Sequence, residues 1–175
     1  MPKLHSRAVF VSFRSGDVAH AERLHDHLSN GLGREEIFLD REPGNIRVTD
    51  DFLKVIKAAV EGAEILIALI GPAWASNENL IRLNDPEDVV RLELGRAFER
   101  ASAGEKVTII PVLVGGAQMP RATDSSPAQL LDLVMIQALT IPDESTAYRE
   151  GLSRLLDAID RHSPGLRARR QNTWL

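Results

Sequence analysis

The chain has 175 residues, a formal net charge of −4, 43% hydrophobic and 26% charged residues, and no cysteine. Those figures fit one globular domain with a real core; they exclude disulfides and cysteine-ligated metals, and weigh against a dedicated nucleic-acid binder, which needs a basic surface. No run approaches the roughly 18 apolar residues of a membrane span. The opening MPKLHSRAVF has no small-residue cleavage site after its short apolar stretch, so the expected setting is cytoplasmic.

Short apolar runs alternate with helical patterns along the chain. RAVFVSF (7–13) reads as a buried strand, and 17–30 as a helix with Val18, Ala21, Leu24 and Leu28 at helical spacing. EIFLD (36–40) is a second strand, followed by the Pro-Gly loop REPGNIRV (41–48). Thr49 then caps a helix with Asp50 and Asp51 in its first turn and Phe52, Val55, Ile56 and Ala59 on its apolar face. AEILIALIG (63–71) is continuously apolar, as a parallel strand covered on both faces should be. DPEDVVRLELGRAFER (85–100) reads as a helix with Asp85 as N-cap, Pro86 at its first position and Val90, Leu94, Ala97 and Phe98 on one face. KVTIIPVLVG (106–115) is a fourth strand and VMIQALTI (134–141) a short fifth. Residues 144–162 form a last helix, facing inward with Tyr148, Leu152, Leu155, Leu156 and Ile159. No internal repeat is visible. The domain is expected over residues 5–162, with 163–175 as a tail or the start of a linker to another domain.

Strands alternating with helices predict an α/β fold. The expected form is a flavodoxin-like three-layer sandwich, with a five-stranded parallel sheet of order 2-1-3-4-5 and helices on both faces. Ligands of such sheets bind beyond the carboxyl ends of the strands where the order reverses, here between strands one and three. That placement gathers Phe13, Arg14, Trp74 and Glu93 around one crevice. Glu93 is the anomaly, because it falls between Val89 and Ala97 inside an apolar arc. Its plainer reading is a half-exposed carboxylate paired with Arg96 or Arg100. Each of the others has a plain alternative too. Trp74 could plug the sheet edge, Arg14 could be a surface charge, and Asp40 could cap the loop after strand two. His20, His25 and His27 show no metal-ligand geometry, no metal site is expected, and RARR near the end reads as a solvated tail. There is no G-x-G-x-x-G and no P-loop. A phosphoreceiver would need acidic residues ending strand one and an Asp ending strand three, where this chain has Phe13-Arg14 and Ile70-Gly71.

VFVSFRSGD, IFLDREPG, LIALIGPAW, DPEDVVRLELGRAF and TIIPVLVGGAQMP, in that order, resemble the successive boxes of a Toll/interleukin-1 receptor (TIR) domain of the bacterial type, from about Arg7 to His162. The resemblance implies one of two roles. Some TIR domains are non-catalytic interaction modules that act by homotypic assembly. Others cleave the nicotinamide–ribose bond of NAD+ to give nicotinamide and ADP-ribose or a cyclic isomer. In the cleaving members a Glu on the third helix is catalytic, and Glu93 matches it. Phe13 matches the aromatic ending strand one and Arg14 the basic residue after it; Ser15, Asp40 and Trp74 complete the expected substrate-binding set. The family's usual aromatic four residues before that Glu is Val89 here. The resemblance further implies that NAD+ is a substrate and not a cofactor, that copies self-associate through the 41–48 loop, that a sensor domain or separate sensor protein supplies the trigger, and that the setting is antiviral defence.

One carboxylate suits that chemistry. Nicotinamide leaves as a neutral molecule from a cationic ring, so no general acid is required. Glycoside hydrolysis passes through a similar oxocarbenium-like state but needs a second carboxyl to protonate its leaving group. A carboxylate with apolar flanks can stabilise the developing positive charge.

Overall fold

The computed structural model describes residues 7–39 and 50–166. Asp40, the 41–48 loop and Thr49 lie outside the described residues. Five parallel strands, β1 (Val9–Ser12), β2 (Ile37–Leu39), β3 (Ile65–Ile70), β4 (Thr108–Leu113) and β5 (Leu139–Thr140), form one sheet of order β2-β1-β3-β4-β5, as the alternating pattern predicts. β3 is buried at every position, which is why its sequence is continuously apolar and does not alternate.

Among the described residues, six helices cover the sheet: α1 (Val18–Leu32), α2 (Asp50–Gly62), α3 (Asn77–Arg82), α4 (Val89–Ser102), α5 (Ala128–Val134) and α6 (Ser145–His162). Two apolar cores result, one on each side. Val9 and Val11 of β1, and Phe13 just after it, pack with Ala21, Leu24 and Leu28 of α1 and with Leu155 and Ile159 of α6. Phe10 of the same strand packs in the other core, with Ile56 and Val60 of α2, Val90, Leu94 and Ala97 of α4, and Leu130 and Leu133 of α5. This is the two-residue alternation of a strand, applied to one with both faces covered.

Several details depart from the sequence reading. α4 begins at Val89 and its N-cap is Asp88, whose side chain accepts from the Arg91 N–H at 3.1 Å; Asp85 instead accepts from the Glu87 N–H at 2.9 Å in the preceding turn. The string DPED offers two caps, and the one followed by proline is not the one used. α3 and α5 are additional helices, and α5 takes the start of the run read as strand five, leaving that strand only Leu139–Thr140. Val18 and Val55, placed on the inward faces of α1 and α2, are exposed, and Leu32 and Val60 are buried in those helices. Packing continues past His162: Ser163 is buried with its hydroxyl donating to Glu64, and Leu166 belongs to the α1–α6 core. Ser163 and Leu166 thus pack against the sheet and helices beyond the expected bound at residue 162.

No described helix is long and apolar enough to cross a membrane.

Candidate active site

β1 organises the site because it alternates. Val9, Val11 and Phe13 point to the α1–α6 core, so Phe13 is buried on the face of the sheet opposite α4. Phe10 points to the α4 side, and the next residues of that parity, Ser12 and Arg14, reach α4 itself. The Ser12 hydroxyl donates to Oε2 of Glu93 in a short hydrogen bond. Arg14 holds Asp88 bidentately, Nη1 to Oδ1 at 2.6 Å and Nη2 to Oδ2 at 3.0 Å, and also donates to the Asn79 carbonyl at 3.2 Å. The end of β1 and the residue just beyond it thus grip the helix at Glu93 and at its N-cap.

Glu93 is 1% exposed. It is not at a half-exposed edge, and the donor on its Oε2 is the Ser12 hydroxyl. Arg96 pairs with Glu61 and Glu99, each at 3.2 Å. Arg100 bonds Glu105 at 2.6 Å and the Val60 and Ala63 carbonyls at 2.7 Å. Burying a carboxylate costs several kcal/mol before compensation, and Leu or Met would fill this helix position without that cost.

The loops after β1 and β3 are tied to each other. A short 3-10 turn, Ser15–Asp17, presents the buried Asp17 carboxylate, which accepts the N–H groups of Ala73 at 2.9 Å and Trp74 at 2.7 Å. Asp17 lies so close to the Gly71 backbone that any Cβ at residue 71 would overlap its carboxylate. These bonds close the switch point between the two strands. They also turn Trp74 inward: its side chain is 1% exposed and sits in the α4-side core.

The structure therefore rearranges the expected substrate-binding set. Trp74 is a core residue with no ring face free to stack on a base. Arg14 is a buried structural cation already committed to Asp88, not a free one at a crevice. Phe13 is on the opposite face of the sheet from Glu93. Ser15 is exposed at the start of the loop turn, and Asp40 lies outside the described residues. Among the described residues, no three His, Asp or Glu side chains are grouped to hold a metal ion.

Three residues of the site were not singled out from sequence: Ser12, Asp17 and Asp88. Ser12 left a signal, being the one polar residue of an otherwise apolar strand and two positions from a core Phe. Asp17 left none, because its partners are backbone groups 56 and 57 residues away.

A cavity of about 480 Å³ opens between α2 and α4, within the range of small-molecule sites. Leu53, Ile56, Val60 and Leu92 supply apolar walls, Glu93 lies in its lining, and the exposed Lys57 and the partly buried Arg91 add positive charge.

A doubly wound α/β domain with a buried carboxylate beside its topological switch point is the class that fold and site together define. The family model described as TIR domain matches residues 9–156, most of the chain. The chain belongs to the TIR domain family. No curated protein matches it.

Proposed function

We propose that this TIR domain cleaves the nicotinamide–ribose bond of NAD+, with Glu93 as the catalytic carboxylate. The observation that carries this reading is a carboxylate, 1% exposed, engaged by a strand-end hydroxyl and lining a cavity of ligand size. The C1′–N bond breaks with its electron pair leaving on the nicotinamide nitrogen, which neutralises the cationic ring. The ribosyl cation left behind is stabilised by the Glu93 charge. Water then adds at C1′ and loses a proton, giving ADP-ribose, or an adenine nitrogen of the same molecule adds and gives a cyclic isomer.

With Arg14 bound to Asp88, the exposed Lys57, with Arg91 beside it in the cavity lining, is the cation we assign to the pyrophosphate. Its side chain is exposed, and it lines the same cavity as Glu93. The proposal includes activation by assembly, with the 41–48 loop and a sensor as partners, in the setting of antiviral defence. Val55 on α2, Leu92 on α4, Leu131 on α5 and Met135 just after it are exposed apolar side chains on or beside the three helices that cover one face of the sheet, which favours a surface that contacts other copies.

The test is incubation of the full chain with NAD+, following nicotinamide release by chromatography with and without a crowding agent, in parallel with Glu93→Gln. Nicotinamide release that Glu93→Gln abolishes supports the reading. An inert wild-type chain at high concentration and under crowding leaves the assembly module as the function.

A further inference from the structure

We propose that Ser12 is the positioning residue of the reacting carboxylate: its Oγ–H, fixed at the end of β1, donates to Oε2 of Glu93 and presents the charge from one place. This rests on Glu93 being the reacting group.

The position is rigid. Ser12 is 1% exposed and pairs with Ala68 of β3 in the middle of a parallel sheet, so its backbone cannot drift. The neighbouring Arg14–Asp88 pair fixes the N-terminus of α4 to the same strand face, which sets the register of the helix against the strand. Glu93 is thus located by strand, helix and hydroxyl together. Catalytic groups gain from being held in this way, because little reorganisation remains at the moment of reaction.

The donor type matters as much as its place. A buried hydroxyl without a partner is costly, so Ser in a run of Val and Phe calls for an acceptor. The acceptor here is a carboxylate, and a hydroxyl bonded to it favours the ionised form without cancelling its charge. An arginine in the same place would neutralise the group meant to face a cation. The chain does carry an arginine two residues on, just beyond the strand, and it is bound to Asp88.

The experiment compares the wild-type chain with Ser12→Ala, Ser12→Thr and Glu93→Gln, using NAD+ as substrate, over a range of pH. Ser12→Ala should lower kcat about tenfold to a hundredfold, the scale of one hydrogen bond to a charged group, with little change in KM. The acid limb of its rate–pH profile should move to higher pH, because the ionised carboxylate has lost a donor. Ser12→Thr keeps the hydroxyl and should recover most of the rate. Independently of turnover, ¹³C NMR of the glutamate carboxyls should show the Glu93 titration midpoint at higher pH in Ser12→Ala than in wild type. A folded Ser12→Ala with wild-type kcat, acid limb and Glu93 titration overturns the proposal; so does a loss of rate that only tracks a loss of folded protein, with the titration unmoved. A Glu93→Gln variant as active as wild type overturns the catalytic reading instead, and if no chain releases nicotinamide the NMR comparison still decides whether Ser12 holds the carboxylate.

Discussion

Glu93 and Trp74, both expected at one crevice, are both buried but in different surroundings. The carboxylate is buried as deeply as the indole, yet only the indole belongs to the apolar core. Glu93→Gln keeps the shape of the side chain and an oxygen that can accept from Ser12, so we expect it to fold normally by circular dichroism and to lose NAD+ cleavage by more than about a hundredfold. Glu93→Ala is the poorer test, since it opens a void and leaves a buried hydroxyl without its acceptor. For Trp74→Ala the expectation is a stability loss of about 3–5 kcal/mol, the usual cost of emptying a large aromatic site. That loss should appear in the denaturation midpoint. A Trp74→Ala protein with wild-type stability and a raised KM would instead return the ring to the substrate.

The helix α4 is where the site is built, and its placement depends on charges that sequence shows only as a string. Asp88 caps the helix through the Arg91 N–H and is clamped from the strand side by Arg14. Removing one member of a buried pair strands the other, at about 3–5 kcal/mol. Asp88→Ala should therefore cost at least that, since the cap is lost too. Arg14→Ala should cost less, because Arg82 stands 3.6 Å from Asp88 and can take up part of the charge. A double-mutant cycle by chemical denaturation checks this: the double variant should be more stable than the sum of the single losses implies. Strict additivity would mean that the pair is not coupled. Any loss of turnover in these variants should follow the displacement of Glu93, and so appear in kcat.

At the scale of the whole molecule, the two cores stabilise different things. The α4-side core holds the helix that carries Glu93, and the α1–α6 core closes the chain through Leu166. Leu166 is fully buried, so Leu166→Ala should lower stability by about 2–5 kcal/mol while leaving KM for NAD+ unchanged. A thermal melt indistinguishable from wild type would place that residue outside the domain. If assembly activates the proposed NAD+ cleavage, nicotinamide release per protomer should rise with protein concentration, and Ile46→Asp in the 41–48 loop should flatten that rise without lowering the melting temperature much. A rate per protomer that is constant on dilution, and indifferent to Ile46→Asp, would remove assembly control.

The sheet and its order were legible in the sequence because strand burial is written in composition: Ile65–Ile70 is apolar at every position, as strands covered on both faces tend to be. The long helices were legible by their period, and Glu93 stood out because a carboxylate breaks that period. The short helices α3 and α5 were not legible, since six or seven residues hold too few turns for a period to show. What surrounds Glu93 was decided only by tertiary structure. Ser12 and Glu93 are separated by 81 residues, and Arg14 and Asp88 by 74. Local pattern assigns each of these residues an environment but not a partner. Which polar groups meet depends on how strand, helix and loop stack, and buried polar groups must then pair with what that stacking brings within reach.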